Sequence, residues 1–291
     1  MAILLNKKLN VCNNLNDKIE FINKIDYSLP NVRIGILNLM PNIEDTECHF
    51  LNVLDNPVVQ IELDFIYFDY KNIDKVKKDY FKKYYKSFLE IKNTKYDGMI
   101  ITGAPLEHLN FNEIDFYNEL SEFFLYTQKN VKSTIFLCWA SEVGINYFYG
   151  INKYNMPNKL SGLYKHNIVN KTNLVKNFDD YFYIPQSRYC GLLESDVIKN
   201  KELILVSSSD DSGIYIVQNK DGSKIFLTGH AEYDLYTLDK EYKRDVKKGI
   251  KVNIPKNYYF NNKPIYKWRA HATLLYHNWI NYYLYKKNSQ R

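Results

Sequence analysis

The chain has 291 residues, 45% of them hydrophobic and 25% charged, proportions of a globular protein with a sizeable core, which exclude the disordered and membrane-embedded classes. Its net charge of +6 comes from lysines interspersed with acids, not from a focused basic stripe, so a nucleic-acid partner is not indicated. Four cysteines, Cys12, Cys48, Cys138 and Cys190, stand far apart without CxxC pairing, which argues against a zinc site or disulfide framework and for reduced thiols.

In chain order, residues 1–31 are an Asn- and Lys-rich lead-in with weak patterning. The apolar run in MAILLNKKLN is too short for a signal peptide, and no later stretch approaches bilayer length, so a soluble cytoplasmic protein without a membrane partner is expected. From Val32 the pattern sharpens. VRIGILNLMP (from Val32), ELDFIYFDY (from Glu62), YDGMIITGAP (from Tyr96), STIFLCWA (from Ser133) and SKIFLTGHAEYD (from Ser223) are short apolar runs ending in Gly, Pro, Asn or Asp. Most are followed by helix-compatible segments, which is how the buried strands of a parallel sheet read. An α/β fold follows, with a doubly wound, mostly parallel sheet flanked by helices. ASEVGINYFYG after Cys138 has helical spacing and stops at Gly150, placing the cysteine where a strand turns into a helix. The segment 257–291 reads as a loop and a terminal amphipathic helix that packs on the sheet. No repeat or linker intervenes, so residues 32–291 are expected to form a single domain.

Ligands of such sheets bind at the carboxyl ends of the strands, and a helix N-terminus there lowers a thiol pKa and offers N–H groups to an anion. Covalent acyl transfer needs a nucleophile, a base in reach, and a third group that holds the base's tautomer. Cys138, His230 and Glu232 fit those roles, since the last two lie in GHAEYD just past the strand IFLT. Taken singly, Cys138 reads as a small buried hydrophobe and His230 as a loop histidine. Their joint placement after strands raises the functional reading above the bland one.

The ordered segments ILNLMP, TGAPLE, FLCWA, KLSGLYKH, FDD, PQSRY, TGHAEYD, TLDKEYKRD, WRAH and HNWINYY, from about Val32 to about Tyr285, resemble the homoserine O-acyltransferases of methionine biosynthesis, the homoserine transsuccinylase family. The resemblance implies a flavodoxin-like fold of the class I glutamine-amidotransferase kind, and Cys138, His230 and Glu232 as acylated nucleophile, base and orienting residue. It implies that Lys159, Ser187 and Arg244 bind substrate, with Arg244 a guanidinium clamp for a carboxylate. On charge alone, Lys159 and Arg244 read as surface residues. The backbone N–H of Trp139 is the expected oxyanion donor. Members using succinyl-coenzyme A carry glycine at the position of Glu107 and those using acetyl-coenzyme A carry glutamate; a carboxylate there would repel the succinyl carboxylate.

The expectation is a ping-pong homoserine O-acetyltransferase with acetyl-coenzyme A as co-substrate, no permanently bound cofactor and no metal. The mild positive charge suits an anionic co-substrate, and the resemblance implies a homodimer. Asn42 and Ile43 stand where the family usually has lysines, and Ala272 and Thr273 replace typical residues after WRAH. The alternatives are a succinyl donor or a serine acceptor on the same scaffold. Outside that class stand a catalytically dead binding protein and a glutamine amide hydrolase, the latter disfavoured because Leu137 and Trp139, not glycines, flank Cys138.

Overall fold

The computed structural model describes residues 2–15, 18–69 and 73–285. The strands of its main sheet are β1 (Ile3–Leu5), β2 (Asn31–Leu37), β3 (Gln60–Tyr67), β4 (Lys86–Ser87), β5 (Tyr96–Ile101), β6 (Val131–Leu137), β7 (Lys153–Ile168), β8 (Tyr181–Leu192), β9 (Leu203–Ser209), β10 (Gly213–Asn219) and β11 (Lys224–Leu227). The helices are α1 (Ile43–Leu54), α2 (Lys75–Tyr84), α3 (Phe88–Ile91), α4 (Tyr117–Asn130), α5 (Trp139–Tyr149), α6 (Glu194–Lys199), α7 (Thr237–Lys247) and α8 (Arg269–Trp279). One sheet runs β1-β3-β2-β5-β6-β11-β10-β9-β7-β8, with β4 also on β3. Pairing is parallel from β1 to β11 and antiparallel beyond it.

Every apolar run expected to be a strand lies in the parallel half, because strands covered on both faces are apolar throughout. β6 shows the two faces: Ile135 and Leu137 join the cluster around Trp268, Tyr276 and Trp279, while Phe136 joins that of Phe124, Trp139 and Phe226. The antiparallel extension was not anticipated. Its longest strand, β7, is polar and largely exposed over its first half, so no apolar run announces it. The lead-in also has structure: β1 pairs with β3, and Leu9, Val11, Cys12, Leu15 and Ile19 are buried.

The terminal helix covers α8 and a π turn, Ile280–Leu284; residues 286–291 of the expected segment lie outside the described residues. It does pack on the sheet, where Trp279 Nε1 donates to Ser133 Oγ on β6 at 3.0 Å. No helix among the described residues is long and apolar enough to cross a membrane.

One glycine ties β7 to a neighbouring segment. Gly162 has φ +139, and a Cβ there would lie 2.3 Å from the Lys256 nitrogen, whose N–H donates to Ser161 O at 2.9 Å. Gly162→Ala should therefore destabilise the protein by about 1–3 kcal/mol from the backbone conformation alone, with the clash adding to it. Urea unfolding should show a lower midpoint with an unchanged slope.

Candidate active site

β6 and β11 are adjacent and parallel, with Leu137 opposite Leu227, so whatever follows each strand emerges at the same carboxyl edge. Cys138 follows the first and His230 the second. Cys138 sits at the N-cap of α5 with φ 50 and ψ −118, a left-handed conformation rare for a side-chain-bearing residue and typical of a nucleophile on a sharp strand-to-helix turn. The turn is held by Cys138 N–H donating to Leu227 O at 2.7 Å and by Ser141 N–H donating to Cys138 O at 2.9 Å. It leaves the first N–H groups of α5, beginning with Trp139, at the open end of the helix. Gly103, on the loop after β5, packs against this turn: a Cβ there would lie 3.3 Å from Cys138 Cβ and 3.7 Å from Trp139 N.

His230 is anchored by its N–H, which donates to Pro185 O at 2.9 Å. Its Nδ1 donates to Glu232 Oε1 at 2.6 Å, and Tyr233 stacks on the ring at 4.1 Å between centroids. The imidazole also lies close enough to the Cys138 sulfur for each to shift the other's ionisation, and the sulfur itself contacts Ser187 O at 4.0 Å. Cys138, His230 and Glu232 are 5%, 3% and 6% exposed, so their charges interact with little screening. Burial opposes a charged imidazole, yet the Glu232 carboxylate and the Cys138 sulfur outweigh it and hold the His230 pKa well above the ordinary histidine range. Burial holds the Cys138 thiol above its ordinary range and His230 offsets that push only in part, so formation of the thiolate relies on the imidazole taking its proton.

The sulfur opens into a cleft of about 380 Å³ lined by Glu107, His108, Lys159, Ser187, Tyr189, Tyr233, Glu241 and Arg244 among others. The structure thus brings all the expected site residues to one place, with Trp139 beginning the helix behind it. Lys159 and Arg244 are not free surface charges. Lys159 Nζ donates to Asp245 Oδ2 at 2.7 Å and lies 3.6 Å from Glu241 Oε2, while Arg244 Nε donates to Asp245 Oδ1 at 2.9 Å. Burial favours the neutral lysine, but the two carboxylates raise its pKa. Burial likewise favours a protonated Asp245, and its bonds to Lys159 and Arg244 hold it below the ordinary range. Ser187 Oγ donates to Glu241 Oε2, and Tyr233 Oη donates to Glu241 Oε1 at 2.9 Å.

Glu241 and Asp245 were not singled out from the sequence. Their signal is the spacing in α7, where Glu241, Arg244 and Asp245 stand at i, i+3 and i+4 and share one helix face. Glu107 is partly buried on the loop after β5, and Lys153 Nζ holds that loop through the carbonyls of Glu107 and Leu109. Asn42 borders a void of about 20 Å³ shared with His49, His230 and Glu232. No cluster of metal-binding side chains occurs among the described residues.

Solved structures with this fold include glutamine amidotransferases from Thermotoga maritima (TM-score 0.54, 16% identity, 86% of this chain and 97% of that one) and Methylobacillus flagellatus (TM-score 0.55, 12% identity, 91% and 99%). At these identities the likeness shows the fold alone. Sequence relatives are much nearer. The homoserine O-acetyltransferase of Lachnospira eligens is 45% identical over 267 residues, 90% of this chain and 86% of that protein. That of Catenibacterium mitsuokai is 44% identical over 264 residues (88% and 85%), and that of Thermotoga petrophila 43% identical over 264 residues (89% and 87%). The profile of the family described as homoserine O-succinyltransferase matches residues 2–290. With near-complete coverage by that profile and by relatives of such identity, the chain belongs to the homoserine O-succinyltransferase family.

Proposed function

We propose that the protein is a homoserine O-acetyltransferase working through an acetyl-cysteine on Cys138. The observation that carries this reading is the buried Glu232–His230–Cys138 relay at the mouth of a cleft whose far wall holds paired cations and carboxylates. Cys138, as thiolate beside the His230 imidazolium, attacks the carbonyl carbon of acetyl-coenzyme A. The developing oxyanion is met by the Trp139 N–H at the start of α5. The C–S bond to coenzyme A breaks, and its sulfur takes the proton from His230. Neutral His230 then accepts the homoserine hydroxyl proton, the oxygen attacks the acetyl-cysteine, and the Cys138 thiolate leaves beside a recharged imidazolium. Each half-reaction moves one proton through His230, and the enzyme ends as it began.

Homoserine carries a carboxylate and an ammonium. Arg244 presents a partly exposed guanidinium for the first, while Glu241 and Asp245 face the second, with Ser187 beside them. The reading carries with it residues 32–291 as one acyltransferase domain, with residues 1–31 as a lead-in, working as a cytoplasmic homodimer.

The acetyl donor is read from Glu107, whose carboxylate lies near enough to disfavour negative charge on Cys138. A succinyl terminus brought to that sulfur would meet the same repulsion. Intact-mass measurement after mixing with acetyl-coenzyme A should show one added acetyl group, removed by homoserine with release of O-acetylhomoserine. With succinyl-coenzyme A no adduct should build up. Glu107→Gly should raise kcat/KM for succinyl-coenzyme A by about 10–100-fold, a shift of the size expected when an unpaired like charge is removed. Faster turnover with serine than with homoserine would reassign the acceptor.

A further inference from the structure

We propose that the donor's pantetheine arm and phosphates lie in a second pocket, at the point where the strand order of the parallel sheet reverses, with Lys77 as the cation that meets the phosphates. This deepens the acetyltransferase reading and rests on it. From β2 the chain goes out to β3 on one side and returns to β5 on the other, so the loops after β2 and β5 diverge. A crevice opens there at the carboxyl ends, the place where open α/β sheets bind ligands. The mechanism above, centred on β6 and β11, leaves it unused.

The crevice holds a cavity of about 200 Å³ whose walls include Leu39, Phe68, Phe81, Leu106 and Phe116, with Lys77 among them. It adjoins the Cys138 cleft, with Met40, Pro41, Ala104 and Pro105 lining both. The other end of that cleft is built for the amino acid, by Lys159, Glu241, Arg244 and Asp245. A thioester presenting its carbonyl to Cys138 has its long arm on the remaining side, past Pro41 and Pro105.

Charge complementarity points to the same occupant. α2, KVKKDYFKKY, carries five lysines and one acid. Lys78 is paired with Asp69 at 2.5 Å, but the Lys77 ammonium enters no ion pair with the described residues. An apolar wall with a lysine at its edge matches a ligand that is a slender amide chain at one end and a polyphosphate at the other.

The test is a ladder of three acetyl donors: acetyl-coenzyme A, S-acetylpantetheine, which lacks the phosphates, and S-acetyl-N-acetylcysteamine, which lacks most of the arm. Lys77→Glu should lower kcat/KM for acetyl-coenzyme A by about tenfold or more, the scale of one charge-assisted contact, and leave both truncated donors unchanged. Lys199→Glu, the same charge change on α6 away from the crevice, should leave all three unchanged. Leu106→Trp, which fills the crevice, should lower kcat/KM for the two longer donors and spare the shortest. Lys77→Glu acting equally on all three donors, or on none, would overturn the assignment while acyl-enzyme formation left the parent reading standing. Failure of every donor to acylate Cys138 in the wild-type protein would overturn both.

Discussion

Cys138→Ala should lower kcat/KM for acetyl transfer by on the order of 10⁴-fold or more, as loss of the nucleophile does in enzymes with a covalent intermediate. Mass spectrometry of the intact variant should find no acetyl adduct at any time. The effect is chemical rather than structural, because the turn around residue 138 is held by backbone bonds to Leu227 and Ser141 that alanine retains, and alanine at φ 50 is no more strained than cysteine. Thermal unfolding of the variant should therefore stay close to wild type. Cys138→Ser sharpens the point. The hydroxyl fits the site, yet its proton is far harder to remove than a thiol's, so His230 cannot generate the anion and activity should remain near the alanine level. An alanine variant that kept turnover, or an adduct on any other cysteine, would sink the proposed intermediate.

The placement of Cys138 and His230 was legible because it depends only on features that a sequence displays directly. An apolar run followed by helical spacing and Gly150 fixes a strand, a turn and a helix. The helix indeed ends with Gly150 in the left-handed region, φ 69. A second apolar run followed by GHAEYD places the histidine at the same edge once the strands are parallel. The carboxylates opposite were not legible for the converse reason. In TLDKEYKRD, charges of both signs at helical spacing look like a solvated face, and only the folded chain brings Asp245 to Lys159 on β7 and Glu241 to Ser187 on β8. Those two strands are themselves hard to read: β7 gains its place through eleven paired positions with β8 rather than through an apolar pattern. Tyr233 was hidden differently, since stacking on His230 is a relation of two rings that adjacency in sequence does not reveal.

Glu232→Gln tests the relay where the two coupled titrations meet. The folded site raises the His230 pKa because the Glu232 carboxylate lies 2.6 Å from Nδ1 and outweighs the burial that opposes charge. A raised pKa means that the imidazolium persists to higher pH, and while it persists it stabilises the Cys138 thiolate. Glutamine has nearly the same shape but no charge. It lowers the His230 pKa, removes the preference for a proton on Nδ1, and weakens the influence of His230 that offsets burial at the sulfur, so the pair shifts further toward thiol and neutral imidazole. The pH at which Cys138 becomes reactive toward iodoacetamide should then move upward, and kcat/KM at neutral pH should fall by about 10²–10⁴-fold, the range seen when a base loses its orienting carboxylate. Because Glu232 Oε2 has no hydrogen-bond partner among the described residues, the substitution breaks no second bond, and the shift in the alkylation profile separates an electrostatic role from a structural one. If the profile stays in place while activity falls, Glu232 orients the ring without setting its charge; if both stay in place, the relay ends at His230.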